Sequence, residues 1–225
     1  MKKRGKLLFY LYLHFQIHLH FQIHLHFSLF HLKDDMNLPT DKECFRIIKK
    51  MEMMDHIIDH SVMVSNVAIC LCRNICKTVP CLNLNRNLVK KAALLHDITK
   101  TRSFTTEERH SETGGELMMQ LGYPEIGDII RQHVMLDDYH PDRSISEPEI
   151  VNYSDKRVLH DQVVSLDQRL DYIKGRYGKR PEFSHLIQKM LDNTLALEDK
   201  LFKNLPFPPE ELADRIIPVV EKPKA

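Results

Sequence analysis

His96 and Asp97 stand side by side at the end of the apolar run Val89 to Leu95, and four more residues of metal-ligand type, His60, His110, His133 and Asp155, are spread through the helical segments around them. Residues three, four, seven and eight apart share a helix face, so the neighbours of each candidate show which way it points. His60 lies with Val64, Val67, Ala68 and Leu71, and His96 with Leu88, Val89, Ala92 and Ala93; both point inward. His110 shares its face with Gly114, Leu117, Met118 and Leu121, His133 with Ile126, Ile129 and Ile130, and Asp155 with Val151, Val158 and Leu159. A carboxylate turned toward apolar surface is costly unless a hydrogen-bonded cation or a coordinated metal accompanies it. A single histidine so placed is ordinarily a hydrogen-bonded core residue, but four histidines and two aspartates doing this together point to metal and form a set that could hold two ions.

Imidazole nitrogens and carboxylate oxygens suit divalent or mixed-valence transition ions such as iron, manganese, zinc, nickel or cobalt, and softness alone does not choose among them; iron or manganese is the expectation. The set lacks a thiolate, which argues against a closed structural zinc cage. The five cysteines, Cys44, Cys70, Cys72, Cys76 and Cys81, read as small apolar residues in a reducing cytosol, although Cys72 and Cys76 have the one-turn spacing of a metal pair.

The stretches DHIIDHSVMVSNVA, AALLHDITKTRSF, ERHSETGGELMMQLGYPE, IIRQHV and VNYSDKRV resemble the HD-domain superfamily of metal-dependent phosphohydrolases over about Met51 to Leu159. Within it the chain is similar to the HDIG-type branch, with Thr99 at the position of that motif's glycine and Lys100 kept. The resemblance implies that His60, His96, Asp97 and Asp155 hold a first metal, that His110 and His133 complete a second, and that Asp97 bridges. His56, four residues before His60, is read as a surface or supporting residue.

Two ions sharing one carboxylate would lower the pKa of a bridging water toward neutrality, and the resulting hydroxide could attack phosphorus. The resemblance makes Lys100 a phosphate contact, an ammonium acting as a point charge on a phosphoryl oxygen; Arg102 and Arg131 are weaker candidates. The expected function is hydrolysis of a phosphate ester or anhydride of a nucleotide or related small molecule, with Asp97 and Lys100 as catalytic residues. Two alternatives stand beside it: a mixed-valence di-iron oxygenase using the same ligands, and a regulatory module that binds a nucleotide without turning it over.

With 225 residues, 43% hydrophobic and 28% charged, the chain can build one substantial domain, and it reads as an all-α HD-domain helical bundle with additional C-terminal helices. A formal charge of +1, with no basic strip interleaved with aromatics, makes long nucleic acid an unexpected partner. Glycine-rich phosphate loops and a GxSxG elbow are missing. Residues 1–35 are different: HFQIHL occurs twice in succession from His14 to Leu25, and its histidines and glutamines break any membrane span. This segment reads as low-complexity sequence outside the working domain, with Met36 as the functional start of a cytoplasmic protein of open oligomeric state. Intact-mass measurement of the native protein tests this.

From Met36, helices are expected near Asp41 to Met53, His56 to Lys77, up to His96-Asp97, around His110 and His133, and near Asp161 to Lys174, Phe183 to Asn204 and Glu210 to Ile217. Thr99 to Arg109 is expected as a polar rim, and Asp137 to Pro148, with His140, as a loop gating the substrate. Lys174, Arg176, Lys179 and Arg180, with Gly175 and Gly178, read as a basic inter-helix loop.

Overall fold

The computed structural model describes residues 36–177 and 181–223; the repeat-bearing segment 1–35 lies outside them. Helix α1 (Asp41–Lys50) opens with a capping box in which Thr40 and Glu43 satisfy each other's backbone N–H groups. It leads to the long helix α2 (Asp55–Thr78). Helix α3 (Arg86–Leu95) is capped by Asn85, whose side chain accepts from the N–H groups of Asn87 and Leu88, and it stops at His96. α2 packs along α3 and α7 (Glu147–Lys156), and α3 also touches α6 (Pro124–Arg131). Val64, Val67, Ala68 and Leu71 from α2, Val89, Ala92 and Ala93 from α3, Ile126 and Ile130 from α6, and Ile150 and Val151 from α7 are all buried where these helices meet.

Between α3 and α6 run α4 (Lys100–Thr106) and α5 (His110–Gln120). The expected polar rim is thus partly helical, and Glu107, in a left-handed conformation (φ 58°), ends it. Gly122 (φ 85°) makes the turn into α6, and Pro124 occupies that helix's first position, where a missing N–H costs nothing. α5 and α6 cross almost backbone to backbone. A Cβ on Gly115 would lie 2.7 Å from the Gly127 carbonyl oxygen, and one on Gly127 would lie 2.5 Å from the Gly115 carbonyl oxygen.

This crossing decides the sign of a substitution. In an open helix Gly→Ala gains about 1 kcal/mol, but here the obstructing atom is a backbone carbonyl that cannot swing aside, and overpacking costs about 1–3 kcal/mol. Gly127→Ala is therefore expected to lower the urea midpoint. An equal or higher midpoint would mean that the helices can part freely.

After α7, Val158–Leu159 (β1) and Gln162–Val163 (β2) form a small antiparallel hairpin, followed by α8 (Leu166–Tyr177), α9 (Pro181–Phe202), a 3-10 turn (Pro209–Glu211) and α10 (Leu212–Arg215). The architecture is all-α apart from this hairpin. Two expectations change here. Val158 and Leu159 do not continue the Asp155 helix, and the segment from Asp161 is not helical until Leu166. His160, at φ 55°, turns the chain back so that Val158 pairs with Val163. Lys174, Gly175 and Arg176 belong to α8 rather than a loop, and Arg176 donates to the Tyr172 hydroxyl at 2.7 Å; Lys179 and Arg180 are not among the described residues.

The C-terminal segment is tied to the bundle by polar groups. Asn66, buried in α2, accepts from the N–H groups of Val219 and Val220 and donates to the Val220 carbonyl, so its oxygen is fully used. Arg157 joins Tyr153, Glu198 and the Pro209 carbonyl. Cys44, Cys70 and Cys72 are buried, and all five cysteines are free thiols. No helix among the described residues is long and apolar enough to cross a membrane.

Candidate metal centre

The helix ends bring all six candidate side chains together. His60 projects from α2, His96 and Asp97 from the end of α3, His110 from the first residue of α5, His133 from just beyond α6, and Asp155 from the last turn of α7. Neighbouring imidazole centroids are 5.3 Å apart for His60 and His96, 4.9 Å for His96 and His133, and 5.1 Å for His110 and His133. Ligand-type atoms of His60, His96 and Asp155 lie within 4.8 Å of one another, and so do those of His96, Asp97 and His133. The Asp97 carboxylate sits between the two halves. Its Oδ2 is 3.4 Å from His96 Nε2, and its Oδ1 is 3.2 Å from His110 Nε2 and 3.5 Å from His133 Nε2.

Backbone carbonyls fix the histidine tautomers. His60 Nδ1 donates to the His160 carbonyl (2.8 Å), His96 Nδ1 to Ala93 (2.8 Å) and His133 Nδ1 to Ile130 (2.6 Å). In the neutral rings of His60 and His133 Nε2 is then a bare lone pair aimed into the cluster, the arrangement that metal-binding histidines adopt, and His96 Nε2 becomes one when that ring gives up its extra proton. For His60 the consequence is an acceptor facing an acceptor, since its Nε2 confronts Asp155 Oδ1 at 3.1 Å; His133 Nε2 faces His110 Nε2 at 3.2 Å and can accept from it. His96 Nε2 and Asp97 Oδ1 are buried without any aligned hydrogen-bond partner among the described residues. Leaving such atoms unsatisfied costs about 1–3 kcal/mol each; cations placed among these acceptors would remove that cost. The donor set therefore fits transition-metal ions.

Cations also back both carboxylates. Burial pushes the Asp97 carboxyl up, but the Lys100 ammonium at 2.9 Å, helped by His96, holds it well below the usual carboxylate range. Burial likewise works against the Asp155 anion, and Lys156, His60, His96 and Arg169 together reverse it. Lys156 is buried and donates to Asp155 Oδ2 and to the His133 carbonyl, both at 2.8 Å, so one ammonium ties the two halves of the cluster together. His133 is pushed down to about 4, chiefly by burial. Burial also works against a charged His96, yet Asp97 and Asp155 lift it to about 9.

A metal ion at His96 must displace that proton. With His96 lifted to about 9, proton competition weakens metal binding throughout the neutral range and fades only as pH rises through about 9. Manganese affinity is expected to rise about tenfold per pH unit between pH 7 and 8.5, with about one proton released, measured by calorimetry in buffers of different ionisation enthalpy. A flat profile would show that His96 carries no proton before the metal arrives.

Other sequence candidates go elsewhere. Arg102 donates to Glu108 at 2.7 Å, and Arg131 pairs with Asp137 and Asp128 at the surface. His56 is exposed. His140 is exposed and paired with Asp138. Thr99, standing at the motif's glycine position, is buried and donates to the His110 carbonyl at 2.8 Å, joining the His96-Asp97 turn to the start of α5. Sequence reasoning missed Lys156 and Arg169. The first had a faint signal as the neighbour of Asp155, and the second, thirteen positions beyond α7's end in another helix, had none.

Residues 57–164 match the family described as the HD domain, and all six clustered residues fall within that stretch. The all-α arrangement of the described residues is consistent with that match. Over 154 residues the chain is 28% identical to a tRNA (cytidine(56)-2'-O)-methyltransferase of Picrophilus torridus; the alignment covers 62% of this chain and 42% of that protein. The chain thus spans less than half the length of that relative. No solved structure matches it.

Proposed function

We propose that this protein is a metal-dependent phosphohydrolase of the HDIG-type branch, cleaving a phosphate ester or anhydride of a nucleotide or related small molecule. The observation that carries this reading is the pair of buried, unpartnered ligand atoms, His96 Nε2 and Asp97 Oδ1, at the centre of four histidines and two aspartates. His60, His96, Asp97 and Asp155 would hold one ion and Asp97, His110 and His133 the other, iron or manganese being the ions we expect among those this nitrogen and oxygen set accepts. Bound there, such ions lower the pKa of water and polarise phosphoryl oxygens. The protein's own residues supply the rest. Lys100 sets a partly exposed ammonium beside Asp97, where it can neutralise a phosphoryl oxygen. The Ala93, Ile130 and His160 carbonyls hold the imidazoles in one orientation.

The methyl transfer named for the relative belongs to a protein of which the alignment covers 42%. The His and Asp cluster favours hydrolysis for this chain. The test is a panel of nucleoside monophosphates, cyclic nucleotides and dinucleoside polyphosphates offered to protein loaded separately with iron, manganese or cobalt. Release of phosphate or of a nucleoside monophosphate supports the proposal. Oxygen uptake with a di-iron spectrum would replace it with an oxygenase, and nucleotide binding without turnover under every loading would replace it with a binding module.

A further inference from the structure

Arg169 lies on α8, beyond the stretch that matches the HD domain, yet its guanidinium reaches the metal cluster. Its side chain is only 12% exposed, and Nη2 is 3.5 Å from Asp155 Oδ1. That is long for a charge-assisted bond, which closes to about 2.7–2.9 Å. Asp155 has a closer partner: Oδ2 accepts from Lys156 at 2.8 Å, while Oδ1 faces His60 Nε2 at 3.1 Å. Arg169 Nε is buried without a hydrogen-bond partner among the described residues. The guanidinium carbon rests 5.7 Å from the Tyr172 ring centroid, and Tyr172 is braced edge-on by His160 at 6.0 Å. A buried arginine held by stacking, with Nε unspent and only a long contact to a carboxylate that Lys156 already holds, can receive an anion.

The local charge says which anion. Lys100, Lys156 and Arg169 all contact the two cluster carboxylates, so the protein's own cations outnumber its anions there before any metal binds. Two divalent ions add further positive charge. A terminal phosphate monoester carries about −1.5 to −2 at neutral pH, whereas a phosphodiester carries one charge. The more highly charged group gains more from a site of this sign, and it has three unesterified oxygens to a diester's two, so one more acceptor remains when a planar fork has taken two.

We infer that Arg169 is a substrate-binding residue that clamps a terminal phosphate and biases the site toward phosphomonoesters over diesters. This rests on the phosphohydrolase reading for the substrate, but phosphate binding can be measured without turnover. Inorganic phosphate is titrated calorimetrically into manganese-loaded wild type, Arg169→Lys and Arg169→Gln, with manganese affinity measured on each and circular dichroism confirming the fold. Phosphate affinity is expected to fall at least tenfold in Arg169→Gln, and less in Arg169→Lys, while manganese affinity stays within threefold. For a nucleoside monophosphate, KM should rise more than kcat falls, and the monoester-to-diester ratio of kcat/KM should shrink. Unchanged phosphate affinity, or manganese binding weakened beyond threefold, would make Arg169 a structural partner of Asp155 and overturn the inference, as would wild type that does not bind phosphate. Phosphate binding lost in the variant, in a protein that hydrolyses no ester, would uphold the clamp while removing the phosphohydrolase reading.

Discussion

Asp97→Asn is expected to reduce phosphate release by about 1,000-fold or more while leaving the helical circular dichroism signal intact. The side chain is the meeting point of the cluster: Oδ2 faces His96 and Lys100, and Oδ1 faces His110 and His133. Removing one preorganised charge contact from a water-poor site costs about 10²–10³ in rate, and this substitution affects both halves of the site at once. The amide is nearly isosteric, so the packing around it changes little. Lys100, which loses its charged partner, is 28% exposed and can turn to water. Loss of activity with two metals still bound would assign Asp97 to the chemistry alone. Retention of activity within tenfold would show that the cluster is not where turnover happens.

Lys156→Met is expected to produce the largest loss of stability. The ammonium is buried and bonded to Asp155 and to the His133 carbonyl, and methionine replaces its length but none of its donors. Breaking a buried ion pair by removing one partner costs about 3–5 kcal/mol, because the surviving charge is left in a poor dielectric. Arg169 lies too far from Asp155 to take over with a tight bond. Urea unfolding of metal-free protein measures the loss. Adding manganese should then restore more stability to the variant than it adds to wild type, since a cation at Asp155 supplies what the lysine did and ligand binding stabilises the folded state by mass action. A variant as stable as wild type without metal would mean that Asp155 draws its compensation from elsewhere.

The six clustered residues were legible in the sequence because each sits at a helical spacing from apolar neighbours, and that spacing fixes direction even when the partners are far away in the chain. His110 and His133 come together through α5 and α6, whose Gly115 and Gly127 contact could be read only with both helices in view. The hairpin after α7 was misread as helix because its turn, His160-Asp161, lacks the glycine or asparagine that usually marks such a turn. Its apolar residues, Val158, Leu159 and Val163, also fit a helix face about as well as a strand. Arg102 and Arg131 were recognised as cations, but spacing alone could not show that Glu108, Asp137 and Asp128 would hold them. Arg169 was invisible for the opposite reason. Its role depends on how α8 returns across the end of α7, a tertiary event with no local pattern.

Turnover at this cluster requires that it hold metal, so the most direct test is elemental analysis with anomalous diffraction on protein produced in iron- and manganese-supplemented medium. The structure leads us to expect two ions per chain in wild type, one flanked by His60, His96 and Asp155 and the other by His110 and His133, with Asp97 between them. His110→Ala should retain the first ion and lose the second. Protein that holds no ion at these residues under either supplement would contradict the account at its root.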